Sequence, residues 1–258
     1  MQMSSLSRYV NRTSQFLRDA TAKVMLMYGA DEPSRAPKTL FTFNTAEEVA
    51  QIVKGSDADI GGFSTVNFEL EESPEINASI GRPATGKLWG EMRLGVKPAL
   101  KGKIRAGYAG FRNQFRTTLF GEMCHDVSMH NYLALRVRVA GDPRTRHSYF
   151  VNIQTDTPVS TDLWQHRLYF HKADNSWEDL FIPFDSFILT NSGGLYDNRI
   201  EMFKKRIRSV GISVLGGNSC LEGHYELGVD SIRIVNEEDV IRPQPAGVQH
   251  QHQSPVSH

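Results

Sequence analysis

The sequence predicts an all-β protein, an antiparallel sandwich or barrel. The main evidence is a run of four short segments between Asn131 and Phe184 in which apolar and polar residues alternate. Alternation with a period of two residues is typical of strands with one buried face. Gly, Pro, Asp and Asn separate the segments, and short strands joined by such turns are typical of sandwiches and barrels.

The four segments are predicted as consecutive strands. Residues 132–139 place aliphatic side chains at odd positions and two arginines at even ones. Residues 148–154 repeat the pattern after Gly141 and Pro143. Residues 164–170 alternate Trp, His, Leu and Phe with polar neighbours, and the turn at 174–176 leads into residues 177–184.

Size and composition indicate one domain with two tails. The chain has 258 residues, 40% of them hydrophobic, and all-β domains of up to roughly 250 residues commonly form one unit. We predict an N-terminal segment and linker at 1–38, a β-sandwich at 39–236 and a disordered tail at 237–258. The tail prediction follows from its prolines, glutamines and histidines.

The charge is balanced overall but uneven along the chain. Lys plus Arg and Asp plus Glu number 29 each, so no global field draws the protein to nucleic acid or to a membrane. Eight acids and only Lys54 lie between Glu47 and Glu75, whereas eight basic residues and only Glu91 lie between Lys87 and Arg116. Two neighbouring strands of opposite charge would account for this asymmetry.

Cysteine content and hydropathy favour a soluble or peripheral protein in a reducing compartment. Two cysteines, Cys124 and Cys220, are too few for a disulfide scaffold, although one bridge between them stays open. No apolar run approaches the ~20 residues that a membrane-spanning helix requires.

The N-terminal 28 residues can form a basic amphipathic helix. They contain four basic residues and one acid, and apolar or small residues recur at helical spacing. This composition suits a mitochondrial transit peptide, and an ordinary surface helix fits it equally well. The residues at helical spacing are Leu6, Val10, Thr13, Leu17, Ala20 and Val24.

The next stretch is predicted as strand, helix and strand. Residues 39–43 form a first strand, and Thr45 with Glu48 has capping-box spacing for a short helix that continues through Ile52 and Val53. The glycine pair in Ile60-Gly61-Gly62-Phe63-Ser64 predicts a tight turn or a close backbone approach. A strand through Val66, Phe68 and Leu70 follows.

Further strands are expected at 88–94 and 104–114, where Gly107 and Gly110 indicate bulges or crowded packing. A polar loop is expected at 123–129. After Phe184 we predict a long loop through 191–194 that extends to Arg199, and residues 207–215 and 225–235 as a last pair of strands.

The order of five motifs resembles the thirty-kilodalton complex I intermediate-associated protein family over about residues 40–235. The loop at 124–129 and the histidine tail have no counterpart in that resemblance. The motifs are Ile60-Gly61-Gly62-Phe63-Ser64, Gly90-Glu91, residues 132–137, Trp177 ahead of Ile182-Pro183-Phe184, and Val210-Gly211-Ile212 before Tyr225-Glu226-Leu227 and Asp230-Ser231-Ile232.

The resemblance implies a galactose-binding-like jelly-roll sandwich and a non-enzymatic assembly factor for the membrane arm of mitochondrial complex I. Its expected partners are other complex I assembly factors and membrane-arm intermediates on the matrix side of the inner membrane. Peripheral association with that membrane is compatible with it. Neither a cofactor nor nucleic acid is expected.

Candidate catalytic and metal-binding residues are few. Cys124, His125, Asp126 and His130 offer ligand atoms, but their spacing matches no recurrent zinc pattern, and an ordinary polar loop is the default interpretation. His166 shares a predicted strand face with large apolar residues, which is more typical of a core histidine than of a catalytic base. Ser64 lacks the flanking pattern of a nucleophile elbow.

Candidate binding residues are aromatic or basic. Trp89, Trp164 and Trp177 offer an alternative function, a carbohydrate-binding module, although alternating aromatics are usually core. Residues 105–116 interleave bases with aromatics as single-strand binders do, and the balanced charge weakens that hypothesis. For partner binding we select the basic residues around Lys204 and the preceding loop, namely Lys204, Lys205, Arg206, Tyr196 and Arg199.

Overall fold

The structure is a computed structural model of the chain. It describes residues 13–15, 17–18, 21, 34–118, 121–159, 161–172, 174–191, 194–195, 201–217 and 220–241. Residues 13–15, 17, 18 and 21 are helical, as the N-terminal spacing predicted.

Fifteen strands form the main secondary structure of the described residues after 37. They are β1 Lys38–Thr42, β2 Ile52–Ser56, β3 Asn67–Glu71, β4 Thr85–Met92, β5 Tyr108–Asn113, β6 Thr117–Thr118, β7 Gly121–Glu122, β8 Tyr132–Gly141, β9 Tyr149–Thr155, β10 Asp162–Arg167, β11 Glu178–Pro183, β12 Ile188–Asn191, β13 Gly194–Leu195, β14 Ile207–Leu215 and β15 Gly223–Val235. The four predicted strands between 131 and 184 are confirmed as β8, β9, β10 and β11.

The strands form two antiparallel sheets and a small hairpin. The first sheet has the order β11-β8-β15-β4-β3, with β1 also pairing with β15. The second has the order β13-β12-β10-β9-β14-β5-β2, and β6 pairs with β7. This architecture confirms the predicted all-β sandwich.

The helical segments are short. They are α-helices at Ala46–Val49, Pro74–Asn77 and Glu237–Ile241, and 3-10 turns at Asp57–Ile60, Ala78–Ile80, Pro98–Leu100, Pro143–His147 and Phe184–Ser186. No helix among the described residues has the length and hydropathy needed to cross a membrane.

The core lies between the two sheets. Alternate residues of β8, β9, β14 and β15 point inward and are fully buried, as the period-2 pattern predicted. Their apolar area, removed from water, supplies the main stabilisation of the fold. The largest of these side chains are Leu133, Leu135, Tyr149, Ile153, Ile207, Ile212, Tyr225 and Leu227.

The outer face of the first sheet confirms the expected pairing of acidic and basic strands. β3 pairs with β4, and Lys87 Nζ lies 2.7 Å from Glu71 Oε2 and 3.1 Å from Glu69 Oε1. The hydrogen bond to Glu71 raises the pKa of Lys87 against the opposing effect of burial. Only part of the basic stretch is explained in this way, because residues 93–105 lie outside the strands.

The predicted helix after Thr45 is shorter than expected. Thr45 and Glu48 do form the capping box, but the helix ends at Val49, and Ile52 and Val53 belong to β2. Their β-branched side chains suit a strand, and β2 pairs with β5 at Asn113 and Arg112. The tertiary pairing therefore outweighs the local helical signal.

Two predictions about the C-terminal third are wrong. Residues 188–191 are not loop, because they form β12 and pair with β10. β14 and β15 do not pair with each other: β14 pairs with β5 and β9 in the second sheet, whereas β15 pairs with β1, β4 and β8 in the first. Two consecutive strands show the same alternation whether they pair as a hairpin or lie in opposite sheets, so the sequence pattern does not distinguish the two arrangements.

The predicted tail begins too early. Glu237–Ile241 forms a helical turn, and the backbone N–H of Asn236 donates to Asp239 Oδ2 at 3.0 Å. Residues 242–258 of the predicted tail lie outside the described residues. Both Cys124 and Cys220 are free thiols, so the bridge left open by the sequence does not form.

Candidate functional site

Three of the predicted partner-binding residues, Lys204, Lys205 and Arg206, lie in the turn that precedes β14. Lys205 is exposed, and Lys204 Nζ lies 5.9 Å from the ring centre of Phe184. Arg206 donates to Asp156 Oδ2 at 2.7 Å, and this bond raises its pKa. Tyr196 and Arg199, the other two predicted residues, lie outside the described residues.

A basic and aromatic cluster lies beside this turn. The guanidinium carbons of Arg112 and Arg208 lie 4.2 and 4.5 Å from the ring centre of Phe115, and Arg208 pairs with Glu122 at 2.6 Å. Burial and the nearby Arg208 charge lower the pKa of Arg112. The fold thus brings the stretch at 105–116 next to the basic residues near 204. Nothing in the sequence indicated that these two regions are in contact.

Three of the four candidate metal ligands, His125, Asp126 and His130, are engaged in separate contacts. His125 packs edge-on against Phe41 at 5.3 Å, and burial, with Arg116 and Lys38, lowers its pKa to about 3. Asp126 accepts two bonds from Ser128, and His130 Nε2 lies 3.0 Å from Ala36 O. In the described part of the chain no group of three His, Cys, Asp or Glu side chains could hold a metal ion.

His166 lies in β10, which pairs with β9 and β12 in the second sheet. Its ring centre is 5.6 Å from that of Phe187, and burial lowers its pKa. The structure places it opposite Val151, and its side chain is half-buried.

The three tryptophans do not line one exposed surface. Trp164 faces the core opposite Ile153 and is 6% exposed. Trp177, also 6% exposed, packs against Gly228 on the outer face of the first sheet, and its Nε1 donates to Ile76 O at 2.8 Å. Trp89 alone is half-buried. Among the described residues, these three tryptophans therefore do not form the shared platform that the sequence offered for a carbohydrate-binding module.

Three of the family motifs meet at residues 57–65, which we call the motif loop. Asp57 is fully buried, and its carboxylate accepts bonds from Ser64 N at 2.8 Å, Ser64 Oγ at 2.9 Å and Gly107 N at 2.5 Å. A Cβ at Gly62 would lie 2.4 Å from Asp57 Cγ. The close backbone approach predicted from the glycine pair is therefore confirmed.

Two further motifs hold the other end of the motif loop. Thr65 N donates to Glu91 O at 3.0 Å, and Tyr225 Oη donates to Thr65 O at 2.6 Å. A Cβ at Gly90 would lie 2.2 Å from Thr65 O, so this position accepts only glycine. Motifs far apart in sequence thus support one loop, which their order alone did not reveal.

The motif loop presents two large apolar side chains to solvent. Phe63 is 45% exposed and Ile60 is 48% exposed, although their neighbours Gly62 and Ser64 are buried. Gly61 has a φ of 108°, a left-handed conformation that glycine adopts readily. A rigid turn with an exposed aromatic tip is the geometry of a contact surface rather than of an enclosed catalytic cleft.

Solved structures with this fold are carbohydrate-binding modules. The family 11 module of a Clostridium thermocellum cellulosomal cellulase aligns over 79% of this chain and 96% of its own, with a TM-score of 0.52 and 13% identity. The same module in complex with a mixed-linked tetrasaccharide aligns over 79% and 98%, with a TM-score of 0.52 and 15% identity. The protein is therefore an all-β sandwich, and the likeness to these modules concerns the fold alone.

Residues 41–229 match the model of the family described as complex I intermediate-associated protein 30 (CIA30). The chain belongs to this family. The mitochondrial complex I intermediate-associated protein 30 of Neurospora crassa is 34% identical over 230 residues, 83% of this chain and 80% of the relative. The Mus musculus protein of the same name is 24% identical over 204 residues, and the aligned region spans 78% of this chain and 56% of the mouse protein.

Proposed function

We propose that this protein is a non-enzymatic assembly factor for respiratory complex I. The main support for this proposal is that most of the sandwich matches the complex I intermediate-associated protein family. The relatives are also named for complex I intermediates and for the mitochondrion. It acts by protein–protein contacts on the membrane arm, at the matrix side of the inner membrane, as a scaffold for partly built intermediates and other assembly factors.

The structure supports contact rather than chemistry as the mode of action. Residues of the Gly90-Glu91 and Tyr225 motifs fix the motif loop, and that loop exposes Phe63 and Ile60. A preorganised surface reduces the entropy lost on binding, which favours association with a shaped partner. The basic turn at Lys204, Lys205 and Arg206, with Tyr196 and Arg199, is proposed as part of the partner-binding surface.

Gene deletion tests the assembly function. Without the protein, membrane-arm subcomplexes of complex I should accumulate on native gels, while the other respiratory complexes stay at normal levels. Expression of the wild-type chain in the deletion strain should restore complex I. Normal complex I in the deletion strain would contradict the proposal.

Charge reversal tests the basic turn. Lys205→Glu should reduce co-purification of complex I subunits, because Lys205 is exposed and its charge faces solvent. Arg206→Glu alone also breaks the pair with Asp156, so a double variant, Arg206→Glu with Asp156→Arg, restores the pair in the reverse sense. Lys54→Glu, a change at an exposed lysine of β2, is the matched control. Unchanged co-purification in the Lys204, Lys205 and Arg206 variants would remove the turn from the binding surface.

A further inference from the structure

The exposed tip of the motif loop is held against a second loop. Lys97 N donates to Gly61 O at 2.9 Å, and Gly62 forms a β-bridge with Val96. A Cβ at Gly95 would lie 3.0 Å from Phe63 Cδ2, so the phenyl ring rests on a bare backbone. The position of Phe63 is therefore set by backbone contacts on both sides.

The second loop carries a cluster of cations without ion-pair partners. Residues 93–105, the basic segment, contain five basic residues, and all five are exposed. None of them forms an ion pair with another described residue. The five are Arg93, Lys97, Lys101, Lys103 and Arg105. An apolar tip thus lies beside a surface that carries uncompensated positive charge.

We propose that the motif loop and the basic segment form one docking surface for a protein with an apolar pocket rimmed by carboxylates. Phe63 and Ile60 fill the pocket, and the cations meet its rim. Aromatic anchors in a pocket with a charged rim are the usual composition of energetically dominant contacts. This inference rests on the proposed function, since it names where an assembly partner would bind.

Two observations favour a protein over an anionic membrane surface. The buried Asp57 carboxylate and the Tyr225 hydroxyl fix the loop, and a fluid bilayer does not require a fixed side-chain orientation. Acids also lie at the base of the surface, because Glu222 accepts from Leu94 N at 2.7 Å and Glu91 lies 3.3 Å from His224. They reduce the long-range field on which attraction to anionic lipid depends.

Site-specific crosslinking and co-purification test this surface in mitochondria. Benzoylphenylalanine introduced at Phe63 should crosslink to a complex I subunit or assembly factor under ultraviolet light, whereas the same probe at Tyr169 should not. The double variant Phe63→Ser with Ile60→Ser should lower co-purified complex I subunits at least tenfold. Lys97→Glu, Lys101→Glu and Lys103→Glu together should do the same. The control, Tyr169→Ser with Val53→Ser, changes two side chains that are 59% and 38% exposed and should have no effect.

The outcomes separate this inference from the proposed function. If the wild-type chain co-purifies complex I subunits and the Phe63 and Ile60 variant does so equally, the docking surface is wrong and the assembly function stands. If deletion leaves complex I normal and the wild-type chain captures no subunit, both fail. Sedimentation with vesicles of phosphatidylcholine and phosphatidylserine that depends on Phe63, with crosslinks to lipid alone, would overturn the protein partner in favour of a membrane.

Discussion

Asp57→Asn probes the support of the motif loop without changing its packing. The side chain keeps its size but exchanges one carboxylate oxygen for an amide NH₂ group. All three partners of Asp57 are donors, namely Ser64 N, Ser64 Oγ and Gly107 N. Whichever way the amide is oriented, its NH₂ group faces at least one buried backbone N–H.

The expected cost follows from the bonds lost. A hydrogen bond to a charged group contributes about 1.5–3 kcal/mol, and a buried donor left unpaired costs about 1–3 kcal/mol. Because Ser64 Oγ can turn to Arg93 O, which lies 3.0 Å away, only one backbone donor loses its partner. We therefore expect a loss of about 3 kcal/mol in the free energy of unfolding. For a domain of this size that is a drop of roughly 6–12 °C in Tm.

Urea unfolding followed by circular dichroism measures this loss. Asp185→Asn is the matched control, because Asp185 is exposed, and its effect should stay within about 0.5 kcal/mol. A loss below about 1 kcal/mol in Asp57→Asn would show that the buried carboxylate does not hold the loop.

Three further predictions concern other buried groups. The pKa of His125 in the fold is about 3, below its ordinary value, so as the pH falls the histidine becomes protonated in the unfolded chain before it does in the folded one. Between pH 6.5 and pH 5 the wild type should therefore lose about 1–2 kcal/mol of its free energy of unfolding, whereas His125→Gln should not. Urea unfolding at both pH values measures the difference. Tyr225→Phe should cost about 1 kcal/mol in thermal unfolding, because Thr65 O loses its donor. Gly228→Ala should cost about 1–2 kcal/mol and shift tryptophan fluorescence, because the new Cβ would lie 3.0 Å from Trp177 Cη2; unchanged fluorescence would contradict that contact.

The strands were predictable because alternation records burial directly. Residues 132–139 show a buried face at 133, 135, 137 and 139, and the fold buries those residues. The pairing partners were not predictable, because the same alternation serves either sheet. β14 and β15 are close in sequence but lie in different sheets, and their alternation does not show this.

Local signals failed where tertiary pairing decided the outcome. The capping box predicted at Thr45 is confirmed, because it depends on local contacts. The strand at Ile52 was not predicted, because it is set by its pairing with β5. The loop predicted after Phe184 includes β12, whose pairing with β10 is not visible in its short and mixed sequence.

The candidate site was only partly predictable. The glycine pair at Gly61 and Gly62 indicated a close backbone approach, and the structure shows what approaches, the Asp57 carboxylate. The contribution of Gly107 depends on a contact between residues 50 positions apart, for which one sequence carries no signal. The exposure of Phe63 also depends on the fold, since no pattern in Gly62-Phe63-Ser64 shows whether the ring is buried or exposed.

The central position of β15 has a consequence for the order of folding. β15 spans Gly223–Val235 and separates β4 from β8 in the first sheet, so these two strands have no common edge until the last strand arrives. A chain emerging from the ribosome therefore cannot close this sheet until β15 has been made. Pairings between residues so distant in sequence are formed slowly, and the apolar faces of β4 and β8 remain open to chaperones during that delay.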